Sequence, residues 1–238
     1  HLLIVSADTA SSRKLGVSER VDRWPRRLHA RLVEGMAAHG AVAIGFDLLF
    51  QQARDAEDDV MLQAAIRKAG NVVLVEGVRR ELTHGPDGRL LATVDERIVP
   101  HAMFAEAAHA TAPFVLPKTP HGVLAFWEAV PALGDRASLS LQLARLYRAR
   151  AQTAGLDADV AIDVGPQAGG DAAQRPMPAP ASGATRYLNL HGPLGSIATT
   201  GYAEALAALA DPVAAEALFR GKVVLVGTSE ANQSRQVD

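Results

Sequence analysis

Residues 2–78 alternate between two hydrophobic periods, and that alternation narrows the possible folds more than any single motif does. "LLIVSAD", Leu2 to Asp8, is a short β-branched run with the length of a buried strand. A polar loop containing Gly16 follows. In "WPRRLHARLVEGMAAHG", Pro25 stands where a first helical residue would, Leu28, Leu32, Val33 and Met36 recur at helical spacing, and Gly40 supplies a stop. "AVAIGFDLLF", Ala41 to Phe50, is apolar on both faces, as strands of a covered parallel sheet are. Asp58 or Asp59 is expected to cap the next helix, whose Met61, Leu62, Ala65, Ile66 and Ala69 share a face before Gly70. "NVVLVEGV" is a third strand. Two βαβ units with right-handed crossovers would make the three strands parallel neighbours.

Beyond Arg79 the pattern changes. "ELTHGPDGRLLATVDERIV" reads as two strands about a Gly-Pro-Asp-Gly turn, an antiparallel hairpin excursion. Ser138 is placed to cap the helix "LSLQLARLYRARAQ". Residues 152–185 are rich in Ala, Gly, Pro and Asp with no period, which predicts a mobile loop. "RYLNLHG" resumes as a strand, "YAEALAALA" as a short helix and "GKVVLVGTS" as a last buried strand. The expected class is α/β: a central, mostly parallel sheet flanked by helices, in one domain over residues 1–238.

Composition excludes several chemistries. Without Cys there is no disulfide, thiolate metal site or Cys nucleophile. A net charge of -2 argues against a nucleic-acid surface, which carries clustered basic excess. The eight His include no HxH or HxxxH pair, and His29 and His39, ten apart on one helix, face differently. They read as ordinary helix or surface histidines. "RDAEDD", Arg54 to Asp59, lacks the alternating acids and turn Gly of a calcium loop and reads as a helix entry. "GPLGS" and "GTS" match neither a P-loop nor a dinucleotide fingerprint, and there is no GxSxG elbow. No metal or cofactor is expected. No run of 18 apolar residues occurs, and the chain opens inside a strand, so a segment of a longer protein is expected.

The candidate site follows from the sheet. Ligands of open α/β sheets sit at the carboxyl ends of the strands, where loops and helix N-termini converge. Three strands end there in polar residues: Ser6 and Asp8; Asp47 with Gln51; Thr228 and Ser229. Trp24, Arg26 and Arg27 open the helix after the first strand, from the same edge. Asp47 is the unexpected member, an acid inside an apolar run. It is read as an edge carboxylate facing Asp8 or an arginine, either as part of a ligand site or as a structural cap or ion-pair partner. Asp8 and Asp47 without a third ligand are weak as a metal site. Trp24, Phe46, Phe50, Phe126 and Trp127 are most simply packing.

Several pieces, read in order, resemble the CHASE2 domain, an extracytoplasmic sensor module of bacterial signalling receptors. They are the opening "LLIVSADTAS", then "WPRRLHARLVEGMAAHGAVAIGFDLLFQ", "DDVMLQAAIRKAGNVVLVEG", "GYAEAL" and the closing "FRGKVVLVGTS". The chain departs from that pattern where Ser6 replaces the first of two acids on the opening strand and Gly201 replaces a Ser before Tyr. The resemblance implies a non-enzymatic input domain outside the cytoplasmic membrane, attached through flanking membrane helices to an output such as an adenylate or diguanylate cyclase or a kinase. Its partner would be an unknown small-molecule or environmental signal, with a homodimer as a further possibility. A hydrolase or phosphotransferase using Asp8 or Asp47, and a dimerisation module without a ligand, are the alternatives.

Overall fold

The computed structural model describes residues 1–84, 86–87, 89–117, 125–153, 155, 185–188, 192 and 195–228. The loop expected over residues 152–185 falls almost wholly outside that set, as do Ser229 and part of "GPLGS".

The chain opens with β1 (Leu2–Ser6), α1 (Thr9–Leu15), α2 (Arg26–Ala38), β2 (Ala43–Phe46), α3 (Ala56–Ala69) and β3 (Val72–His84). The middle comprises β4 (Leu90–Ile98), α4 (Ala102–Ala105), β5 (Ala110–Pro113), β6 (Ala125–Trp127), β7 (Ala129–Val130), β8 (Arg136–Ala137) and α5 (Leu139–Thr153). It closes with β9 (Thr185–Tyr187), β10 (Ala198–Gly201), α6 (Tyr202–Ala208), α7 (Pro212–Phe219) and β11 (Val223–Gly227). Seven strands form one sheet in the order β10-β1-β11-β2-β3-β4, with β5 also on β3. Every pairing in it is parallel except β3 with β4. The expected α/β class with an antiparallel hairpin is what the chain adopts.

Strand order differs from expectation at one place. The first and second strands are parallel but not adjacent, because β11 lies between them and pairs with both. The hairpin's first strand is also no separate element: β3 runs through, pairing with β2 and β5 over Val72–Glu76 and with β4 over Gly77–His84. "RYLNLHG" contributes β9, which pairs with β6 outside the main sheet.

Helix ends follow local chemistry. The polar stretch after β1 is a helix and not a loop: Asp8 caps α1 by accepting from Ser11 N at 2.7 Å, and Gly16, at φ 64°, closes it. Asp55, not Asp58 or Asp59, caps α3, accepting from Asp58 N. Asp58 and Asp59 instead turn toward α2.

Handedness decides which face each helix covers. Connections β1→β2, β2→β3 and β10→β11 all advance the same way across the sheet, and their helices pack on one face with Leu3, Val5, Ile44, Phe46, Val72, Leu74, Val224 and Val226. The return from β5 to β10 runs the opposite way, and its helix α5 packs on the other face, through Leu139, Leu143 and Leu146 against Ala43, Val73 and Val75. The loops after β1 and β2 therefore fold toward the crowded face.

Candidate functional site

Asp47 follows directly on β2, and its N–H donates to Val226 O at 2.8 Å, so the ladder continues through it. Side-chain alternation fixes its direction. A methyl group on Gly45 would meet Leu143 of α5, so Asp47, two residues on, shares the α5 face, as does Leu49 in the α5-side cluster. Gly227 is its neighbour on β11, and a Cβ there would lie 3.4 Å from Asp47 Cβ and 3.7 Å from Oδ2. Ser6 of β1 registers with Gly227 on the far side. Among the described residues, Asp47 alone comes within 4 Å of a Cβ at Gly227. Helix α5 runs against the strands, with Leu143 over Gly45 and Arg150 donating to Gly70 O, which brings its first turn toward the carboxyl ends.

The Asp47 carboxylate is mostly withdrawn from water yet takes part in no hydrogen bond or ion pair with a described residue. Burial raises its pKa from 3.8 to about 6, with no contribution from a neighbouring charge. The expectation that it faces Asp8 or an arginine therefore fails. Asp8 is engaged at the α1 N-terminus and lies close enough to Glu204 to raise that acid's pKa, which is lowered on balance by Lys14.

Other strand-end acids are satisfied. Glu76, 2% exposed, accepts from Thr111 Oγ1 at 2.6 Å and from Arg136 Nη2 at 2.6 Å and Nε at 3.2 Å, with Arg97 Nε 3.9 Å away. It ties β4, β5 and β8 to the end of the parallel part of β3. No motif singles it out, although a Glu in "VVLVEG" is as conspicuous as Asp47 in its own run.

Of the other candidates, Trp24 and Arg26 lie inside the protein, 1% and 3% exposed. Neither can touch a ligand as folded, which corrects their place on the edge. Trp24 Nε1 donates to Ser18 O at 2.6 Å, and its ring packs at 5.0 Å edge-on to Tyr202. Arg26 donates to Asp59 Oδ1 and to Gln52 O, with its guanidinium 4.7 Å from the Phe104 ring and 5.7 Å from Phe50. Arg27 is exposed and donates to Asp58 Oδ1 at 3.3 Å. Thr228 is exposed at the end of β11, next to Gly227.

A residue missed as a core group is His29. It is 2% exposed, shares a 2.8 Å hydrogen bond between Nδ1 and Tyr202 Oη, and is ringed by Trp24, Phe46, Phe50 and Tyr202. Burial first, then the nearby Arg26 and Arg54 charges, lower its pKa to about 3. Burial likewise raises the Tyr202 phenol, so the pair is neutral. Its apolar neighbours at Leu28, Leu32 and Val33 signalled an inward face; its partner lies 173 residues away.

Among the described residues, no three His, Asp or Glu converge as a metal would require, and no helix is long and apolar enough to cross a membrane. What this edge offers, among the described residues, is one unpaired carboxylate beside Gly227, with Ser6 on the next strand and Leu143, Leu225 and Leu49 on the same face. A family model for the CHASE2 domain matches residues 1–237. No curated protein and no solved structure matches the chain.

Proposed function

The chain belongs to the CHASE2 family of extracytoplasmic sensor domains of signalling receptors, and on that premise we propose that it is the signal-input domain of a bacterial transmembrane receptor. It lies on the periplasmic side, is anchored by flanking membrane helices and controls a cytoplasmic output such as a nucleotide cyclase or a kinase. The match over residues 1–237 carries this reading. Catalysis is no part of it: the domain reports a signal and leaves chemistry to the output.

The signal enters at the carboxyl edge around Asp47 and Thr228. Gly227 and Thr228 border the site at the carboxyl end of β11, so a ligand at Asp47 bears on that strand. Signalling then requires that the ligand bind one arrangement of the domain more tightly than another, since equal affinity shifts no population. A homodimer is one way of presenting the two arrangements.

Location is the claim to test first. The domain has no Cys, so Val213→Cys, at a 79% exposed position on α7, adds a single thiol on this domain. In intact cells expressing the full parent protein, a membrane-impermeant maleimide should label that thiol. Labelling only after lysis would place the domain in the cytosol and end this reading.

A further inference from the structure

We propose that the edge at Asp47 is a binding site for a small organic cation, an ammonium or guanidinium group carried on a short apolar body. The inference deepens the sensor reading and rests on it for its biological sense.

Four observations carry it. First, a carboxylate largely removed from water with nothing to pair with is a costly arrangement, and buried charges are ordinarily matched. The buried acids Asp58, Asp59 and Glu76 obey that rule; Asp47, partly buried, has no partner among the described residues. Second, Gly227 has no side chain at the position that would crowd Oδ2, Asp47 alone among the described residues comes within 4 Å of a Cβ there, and Asp47 itself is partly exposed. Third, apolar side chains lie on the same face, with Leu143 and Leu225 meeting at Gly45 and Leu49 packed beside them, while Ser6, in register with Gly227, is the polar neighbour. A bare metal ion would find one ligand there; a cation with a hydrocarbon flank finds a charge partner and a surface to cover. Fourth, the charged groups on the elements around it, Glu76 on β3, Arg97 on β4, Arg136 on β8 and Arg145 on α5, leave no mark on the ionisation of Asp47, whose shift comes from burial alone. Among the described residues no arginine neutralises it, and the proposal draws the countercharge from a ligand.

The test uses four compounds of similar shape on the 238-residue chain: butylammonium, butylguanidinium, butanol and butyrate. At pH 7.5 the two cations should raise the melting temperature in a saturable manner, while butanol and butyrate leave it unchanged. At pH 4.5, with the carboxyl largely protonated, the cations should bind at least about tenfold more weakly. Asp47→Asn should abolish the response. Gly227→Ala, which fills the approach at an ordinary backbone conformation, should weaken it several-fold without lowering the ligand-free melting temperature by more than a few degrees.

Equal responses from parent and Asp47→Asn, an equal effect from butanol or butyrate, or no saturable cation effect up to about 50 mM would each overturn the inference. If Asp47→Asn fails to fold, the pH 4.5 arm and Gly227→Ala decide. A shift caused only by neutral or anionic compounds and lost in Gly227→Ala would reject the cation while leaving the sensor reading intact. The maleimide experiment tests that reading by itself.

Discussion

The two faces of the sheet treat polar residues in opposite ways. On the side of α2, α3 and α6, Arg26, Asp59, His29 and Tyr202 are buried among Trp24, Phe46, Phe50 and Phe104, and each has found a partner. The match has gaps: Arg26 Nε has no acceptor and lies in the aromatic layer formed by Phe50 and Phe104. On the α5 side, Asp47 is mostly withdrawn from water and has no partner among the described residues. Burial with a partner is architecture. Burial without one, at a strand end open to solvent, is where the domain has left a charge for something else to satisfy.

That contrast can be broken most forcefully at Arg26. Asp59→Ala would strand a buried guanidinium and should cost about 3–5 kcal/mol in urea unfolding, with the ionisation of Asp47 unaffected. A loss under about 1 kcal/mol would mean that the crowded side does not depend on its pairs.

His29 comes next. Its folded pKa, about 3, lies below the unfolded 6.5, so only the unfolded chain gains a proton as pH falls through that interval. Its contribution is complete above 6.5 and is lost toward pH 3, reaching about 2–3 kcal/mol near pH 4.5. His29→Leu should therefore flatten the stability profile between pH 6.5 and 4.5, even while losing the bond to Tyr202. A slope equal to that of the parent would mean that His29 is not sealed.

Asp47 has the opposite sign. Its folded pKa, about 6, exceeds the unfolded 3.8, so the stability tied to its protonation is full below 3.8 and lost as pH rises through 6. Asp47→Asn removes the uncompensated charge and should stabilise the ligand-free chain by about 1–2 kcal/mol at pH 7.5, with no gain at pH 3.5. Destabilisation at pH 7.5 would show that the carboxylate has a partner after all.

The smallest effect is expected at Arg27, whose pair with Asp58 is solvent-exposed on one side; Arg27→Ala should cost less than about 1 kcal/mol, and less still in high salt.

Much of this was legible in residue order, and the failures have physical causes. The strands β1, β2, β3 and β11 and helices α2, α3 and α5 announce themselves because apolar periodicity is a local property. Insertion of β11 between β1 and β2 is not local: nothing within either strand encodes its neighbour. Helix α1 was hidden because "TASSRKL" buries two serines and offers no apolar stripe, although Asp8 and Gly16 carried its cap signals. Strand β10, "ATTG", and helix α7 escaped for similar reasons, the first a partly exposed edge and the second with little buried beyond Ala215 and Phe219. At the site, Asp47 and Thr228 were legible as strand-end polar groups. The inward turn of Trp24 and Arg26 was not, since it depends on Phe104 and Asp59 arriving from other elements.

The most direct measurement is the titration of Asp47 itself, followed through its carboxyl carbon by NMR in the ligand-free chain. An unpaired, partly desolvated acid predicts a midpoint near 6, falling when butylguanidinium is added. A midpoint near 3.8 that ignores the cation would contradict the account.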